Sequence, residues 1–147
     1  MKTTLLVSLL ALGLTAPLFA ADAPPKEVAL FDHAMVDATF AKGGSLLANG
    51  KYKVQAGRRD ADGQVEIHQH DTDIFYITHG SATITTGGTA VDPKKVAPGE
   101  FRADRSEGGT VRHLAKGDVI VIPAGVPHWI TKPSGPFLYF VVKVTTN

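Results

Sequence analysis

The sequence predicts an all-β protein whose single domain is a barrel or sandwich of short strands. Apolar runs at 74–78, 118–122 and 137–144 are each short enough to be one strand, and glycine, proline or asparagine residues separate them. No long run with apolar residues at helical spacing lies between them. Short strands that alternate with Gly- and Pro-containing turns are typical of sandwiches and barrels.

The remaining strands are indicated by turn signals and alternation. Asn49-Gly50 predicts a hairpin turn, because both residue types tolerate positive φ. The segment 52–56 alternates apolar and polar residues, and strands are also expected at 65–70 and 81–86. Residues 36–41 alternate weakly, as a short strand would.

Residues 87–115 differ from the rest of the chain. They hold Pro93, Pro98, five glycines and many charged residues, with little periodicity. A segment this long is unusual as a plain loop in a compact domain. It is therefore expected either to serve a function or to contain short strands that the pattern does not reveal.

The first 23 residues have the layout of a secretory signal peptide. A basic start at Lys2 is followed by an apolar run at 5–14 and then by small residues around Ala20 and Ala23. The run is shorter than the ~20 residues that cross a bilayer. We therefore expect cleavage between residues 20 and 23, a mature domain at 24–147, a periplasmic or secreted location, and no membrane association after cleavage.

Composition excludes several other classes of protein. The chain has no cysteine, so it has neither disulfides nor thiolate metal ligands. Its formal net charge is +1, and its paired basic residues, at 58–59 and 94–95, are isolated from each other. Nucleic acid is therefore not an expected partner, because its binding depends on clustered Lys and Arg.

Three histidines suggest a metal site. His68 and His70 are two residues apart, and on a strand such residues point to the same face. His128 can supply a third imidazole if the fold brings its segment beside theirs. Imidazole binds zinc, copper, iron and nickel, and three protein ligands leave positions open for water or substrate.

Around these histidines the chain resembles the cupin family. The segment 117–128 fits the second cupin motif at every defined position: glycine, five residues, proline, one residue, glycine, two residues and histidine. The segment 63–70 resembles the first motif, but its spacer is one residue short. The two motif regions, 63–80 and 117–132, occur in the family's order. The resemblance implies a jelly-roll β-barrel with a metal ion in its mouth.

The glutamate ligand of the first motif has no direct counterpart. Its usual register holds Ile74 or Phe75, whereas alignment on the following Phe-Tyr pair places Asp73 there. The metal ligands that the resemblance implies are His68, His70, Asp73 and His128. Asp73 is either a direct ligand or an acid beside the ligands.

The resemblance implies one divalent ion, of Fe, Mn, Zn, Cu or Ni, and a small-molecule ligand or substrate. An oxidoreductase of the dioxygenase or oxidase type is expected. The alternatives are a Lewis-acid isomerase and a non-catalytic ligand-binding protein whose metal is structural or bridges the ligand. No general acid or base is identified. The resemblance also implies a homodimer, with 28–47 as the candidate interface.

Arg58 and Arg59 follow one another near the end of a predicted strand, so they lie on opposite faces. Either one of them points inwards and binds a carboxylate substrate, or both are solvated charges at the sheet edge.

Overall fold

The computed structural model describes residues 27–146, and within that range one helix and thirteen strands are formed. The predicted signal peptide therefore lies outside the described residues. The elements are α1 (His33–Lys42), β1 (Gly44–Ala48), β2 (Tyr52–Arg59), β3 (Val65–His68), β4 (Asp71–His79), β5 (Ser81–Thr86), β6 (Thr89–Ala90), β7 (Lys94–Ala97), β8 (Glu100–Ala103), β9 (Ser106–Glu107), β10 (Thr110–Ala115), β11 (Val119–Ile122), β12 (His128–Thr131) and β13 (Phe137–Thr145).

Two antiparallel sheets form the body of the protein. The five-stranded sheet has the order β1-β2-β13-β4-β11, and the six-stranded sheet has the order β10-β5-β12-β3-β8-β7. A separate ribbon pairs β6 with β9. This arrangement confirms the prediction of an all-β jelly-roll fold. None of the helical structure described between residues 27 and 146 is long and apolar enough to span a bilayer.

Alternation along the strands fills the space between the sheets. In β4, Asp71, Asp73, Phe75 and Ile77 are buried while the residues between them are more exposed. The apolar core contains ten buried residues from both sheets: Phe75, Ile77, Ala82, Ile84, Leu114, Ile122, Ile130, Phe137, Tyr139 and Val141.

The helix α1 replaces the weak strand expected at 36–41. The Asp32 carboxylate accepts a hydrogen bond from the Met35 backbone N–H at 2.9 Å and so caps the helix, and Gly43, at φ 70°, ends it. The Phe40 ring lies 4.9 Å from the Phe140 ring of the five-stranded sheet, measured between centroids. The capping aspartate outweighs the weak alternation, and α1 covers part of the outer face of that sheet.

The segment 87–115 contains five complete short strands, β6 to β10. Every residue of β7 is exposed, and β6 and β9 have two residues each. Strands this short or this exposed have no buried face, and so they leave no alternation in the sequence.

Candidate metal centre

The β-strands bring Glu66, His68 and His128 to one point inside the barrel. Glu66 and His68 lie two residues apart on β3 and therefore share a face. His128, the first residue of β12, is paired directly with Glu66 across the six-stranded sheet, and it is the only registered pair between β12 and β3. Side chains of directly opposed residues lie on the same face. One ligand atom from each of the three side chains lies within 4.8 Å of the other two.

Asp73 approaches this cluster from the opposite sheet. One of its oxygens, Oδ2, lies 3.5 Å from His68 Nε2 and 3.7 Å from His128 Nε2. A Glu66 oxygen lies 3.4 Å from His68 Nε2. Asp73, His68 and His128 are all buried, and Glu66 is mostly buried. The cluster therefore combines two imidazoles with two carboxylates.

Hydrogen bonds orient both imidazoles. The Nδ1 atom of His68 lies 2.5 Å from a Glu100 carboxylate oxygen, and Nδ1 of His128 lies 3.1 Å from the backbone carbonyl of Val126. Since a carbonyl oxygen only accepts, His128 Nδ1 carries the proton and Nε2 has a free lone pair. The same tautomer follows for a neutral His68 beside the Glu100 carboxylate. Histidines that bind metal are commonly held by their other nitrogen in this way.

The donor atoms fit a metal ion. Both Nε2 atoms and Asp73 Oδ1 are buried without a hydrogen-bond partner. Buried polar atoms are normally paired, so two unpaired imidazole nitrogens that lie 3.5 and 3.7 Å from Asp73 Oδ2 indicate a missing partner. Two donors that each lie about 2.1 Å from one ion are about 3.0 to 3.4 Å apart at octahedral or tetrahedral angles. The distances of 3.4, 3.5 and 3.7 Å in the cluster are close to that range.

Cationic side chains accompany the two carboxylates. Arg59 forms an ion pair with Glu66, and Lys143 Nζ donates to Asp73 Oδ2 at 2.6 Å. Burial alone would raise the pKa of Glu66, but the adjacent His68 imidazole and the charges of Arg59 and Arg102 outweigh it, so this pKa is well below its usual range. Burial lowers the pKa of His128, which favours the neutral, metal-binding imidazole.

The cluster opens into a cavity of about 150 Å³ inside the barrel. Its wall combines polar groups with core residues: Gln55, Arg59, Glu66, Asp73, Phe75, His128, Ile130, Tyr139, Val141 and Lys143. A larger groove, of about 560 Å³, lies between the edge strands β10 and β11 and is lined by His113, Asp118 and several apolar side chains. That groove does not include the buried cluster.

The structure brings three of the four residues predicted as ligands together and leaves one out. His68, Asp73 and His128 meet inside the barrel. His70 is exposed and lies beside Gly99, so the expectation that it shares a face with His68 is wrong. The physical reason is that β3 ends at His68, and the alternation of side chains does not continue into the bend that follows.

Glu66 is the residue that the sequence analysis missed. It bears the same relation to His68 as the two histidines of the first motif bear to each other, one residue apart on one face. With Glu66 and His68 as this pair, four residues separate His68 from Asp73. This agrees with the three or four residues that usually separate the second histidine of the cupin motif from its glutamate, whereas only two residues separate His70 from Asp73. That spacing was the signal for the register.

Comparison with known proteins agrees with this architecture. A protein-family model described as Cupin matches residues 46–147. Comparison of the sequence with curated proteins finds no match. A solved protein from Bacillus halodurans is similar in structure with a TM-score of 0.59 at 15% identity, over 86% of this chain and 87% of that one.

Two further solved structures are similar at lower coverage. A cupin superfamily protein from Desulfitobacterium hafniense has a TM-score of 0.50 at 16% identity, over 71% of this chain and 76% of that one. The hydroquinone 1,2-dioxygenase of Sphingomonas sp. TTNP3 has a TM-score of 0.51 at 14% identity, over 67% of this chain and 62% of that one. At these identities the similarity concerns the fold.

Proposed function

This chain belongs to the cupin family, and we propose that it is an exported, metal-dependent oxidoreductase that acts on a small organic molecule. The observation that carries the proposal is the convergence of two histidines and one glutamate, His68, His128 and Glu66, with both Nε2 atoms unpaired. Two histidines and a carboxylate that leave open positions are the ligand set of non-haem Fe(II) oxygenases.

Glu66, His68 and His128 would hold one divalent ion, and Asp73 is close enough to both imidazoles to be a fourth ligand. Ferrous iron held by these residues would supply open positions for dioxygen and substrate. The protein's own part is to orient and to exclude water. Glu100 and the Val126 carbonyl fix the two imidazoles, and apolar residues, among them Phe75, form part of the cavity wall.

The isomerase alternative has less support. It requires a group that exchanges protons beside the ion. The other polar groups in the cavity wall are the Gln55 amide, the Arg59 guanidinium, the Lys143 ammonium held by Asp73, and the Tyr139 hydroxyl. Burial raises the pKa of Tyr139 although the charge of Arg59 opposes it. The Gln55 amide does not ionise, and the raised pKa values of Arg59 and Tyr139 keep both of these groups protonated near neutral pH.

The test is to load metal-free protein with Fe(II) under anaerobic conditions and to add nitric oxide, which replaces dioxygen as a ligand. We expect one equivalent of iron and the electron paramagnetic resonance signal of an iron–nitrosyl complex. His128→Ala should lose both. His113→Ala, in the separate groove, is the matched control and should retain both.

Each result separates one hypothesis from another. Bound iron without a nitrosyl signal would indicate a closed, structural site and favour the non-catalytic alternative. Absence of binding by iron, manganese, zinc, copper and nickel would overturn the metal site itself. Asp73→Asn decides the number of ligands, because its iron affinity should fall if Asp73 binds the ion directly.

Export and pairing of two copies are part of the proposal. Val28 and Leu30 are 98% and 86% exposed in the single chain although they are apolar, which supports burial against a second copy. N-terminal sequencing of the protein from the periplasm or medium should give a start at residue 21 to 24. Sedimentation should show a dimer that Val28→Ser/Leu30→Ser weakens; an uncleaved chain or a monomer would contradict these two points.

A further inference from the structure

Of the two neighbouring arginines on β2, only Arg59 faces the interior. Arg58 points away from the cavity, and its guanidinium makes two hydrogen bonds to the Asp60 carboxylate, at 2.7 and 2.8 Å. The Arg59 side chain is 23% exposed and lines the cavity beside Glu66. The two residues therefore have the same chemistry but different surroundings.

The Arg59 guanidinium is placed where it can hold a ligand. It crosses Gly63 so closely that a Cβ atom on that glycine would lie 2.6 Å from an Arg59 terminal nitrogen. Its Nε atom is buried without a partner and is therefore a free donor. The Tyr139 hydroxyl belongs to the same wall. A guanidinium that offers adjacent N–H groups matches the two oxygens of a carboxylate.

The charge balance in the cavity also points to an anion. Glu66 and Asp73 carry two negative charges there, and Arg59 and Lys143 carry two positive charges. A divalent ion would leave an excess of two positive charges beside the apolar side chains of Phe75, Ile130 and Val141. Buried charge without compensation is strongly unfavourable, so an anion should enter with the ion.

We propose that the cavity binds a small organic carboxylate together with the metal ion, and that Arg59 holds the carboxylate. This inference rests on the proposed function, because the ion provides half of the attraction. The cavity volume of about 150 Å³ is comparable to that of an engineered protein cavity that binds benzene, which favours a small acid.

The experiment uses zinc as a redox-inert ion and lactate as the carboxylate. Lactamide is the control ligand, because it has nearly the same shape and no charge. Protein carrying one equivalent of zinc is freed of excess metal and titrated with each compound by calorimetry. We expect lactate to bind at least about tenfold more tightly than lactamide, and more tightly to the zinc form than to the metal-free form.

Three variants complete the test. Arg59→Gln should keep its zinc and lose at least about tenfold in lactate affinity, and Arg59→Lys should lose less because it keeps the charge without the planar fork. Arg58→Gln, the matched control on the outer face, should bind lactate like the wild type.

The two hypotheses fail in different ways. The carboxylate proposal would be overturned, and the metal site left intact, if the protein bound zinc but had equal affinity for lactate and lactamide. An unchanged lactate affinity in Arg59→Gln would have the same meaning. Failure to bind zinc and the other divalent ions would overturn both proposals.

Discussion

The space between the two sheets has an apolar end and a charged end, and the same strands build both. Along β4, the inward-facing residues change from Asp71 and Asp73 to Phe75 and Ile77 within a few residues. Ile77, Phe137 and Asp73 are all less than 2% exposed. Alternation along a strand therefore determines which side chains are buried, and it does not determine whether those side chains are apolar.

The difference lies in what compensates for burial. At the apolar end, removal of carbon surface from water stabilises the fold. At the charged end each buried group requires a partner, and Glu100, Lys143 and Arg59 supply most of them. The Nε2 atoms of His68 and His128 remain without a hydrogen-bond partner. Stability should therefore depend mainly on the apolar end and metal binding on the charged end.

The largest effect is expected from Phe137→Ala. Phe137 is fully buried and packs against Tyr139, with the ring centroids 5.3 Å apart. The cavity left by the ring should lower the free energy of unfolding by about 3 to 5 kcal/mol. Urea denaturation measures this, with Val111→Ala on the exposed edge as the control, expected within about 0.5 kcal/mol of the wild type. An equal loss of stability in both variants would contradict the conclusion that stability depends mainly on the apolar end.

A substitution at the charged end should affect metal affinity more than folding. Glu100→Gln keeps the shape of the side chain that holds His68 and removes its charge. Substitution of a group that hydrogen-bonds a metal ligand typically lowers metal affinity by about 10- to 100-fold. Zinc titration should show this loss, and Glu107→Gln, on the exposed ribbon, should show none. Unchanged affinity in Glu100→Gln would indicate that His68 needs no support.

The boundary between the two ends can be tested at Gly57. A Cβ atom there would lie 2.2 Å from the Tyr139 ring, which belongs both to the core and to the cavity wall. Gly57→Ala should displace the ring and lower the free energy of unfolding by about 1 to 3 kcal/mol. Gly44→Ala is the matched control, because its nearest neighbour, the Thr39 methyl, would be 3.4 Å away. Similar melting curves for the two variants would show that the Tyr139 ring moves freely.

A smaller, pH-dependent effect is expected at Asp71. Burial alone would raise the pKa of Asp71, but hydrogen bonds from Lys53 and Thr145 outweigh it and lower this pKa. A lowered folded-state pKa means stabilisation above the unfolded pKa of about 3.9, lost as the pH falls below it. Between pH 5 and pH 3, wild-type stability should fall more steeply than that of Asp71→Asn. The exposed Asp37→Asn should follow the wild type, and parallel curves for all three proteins would contradict this assignment.

The sequence predicted the fold and three residues of the charged end, His68, Asp73 and His128. The strand signals predicted a barrel or sandwich, and the resemblance of the two histidine segments to the cupin motifs implied the jelly roll. Alignment on the Phe-Tyr pair placed Asp73 in the glutamate's position. The register of the first motif could not be read from the pair of histidines alone. His68 and His70 satisfy strand parity as well as Glu66 and His68 do. The spacing to Asp73 favours Glu66 and His68, and the end of β3 at His68 agrees with it.

Two other features were beyond the sequence pattern. The helix α1 has no buried residue, so its apolar pattern was too weak to predict it. The strands in 87–115 are mostly exposed or short, and β6 to β9 pair with one another through backbone hydrogen bonds that leave no pattern of side chains in the sequence. Arg59 could be placed on a face opposite to Arg58, but the direction of the cavity required the structure.

The single registered pair between β12 and β3 divides the six-stranded sheet into two groups, β10-β5-β12 and β3-β8-β7. His128 stands on one side of this seam, and Glu66 and His68 stand on the other. An ion held by all three would act as a cross-link between the groups, where the backbone ladder is shortest. The catalytic centre that we propose would then also stabilise the contact between β3 and β12. Loss of the ion would increase local unfolding of these two strands before the apolar end is disturbed.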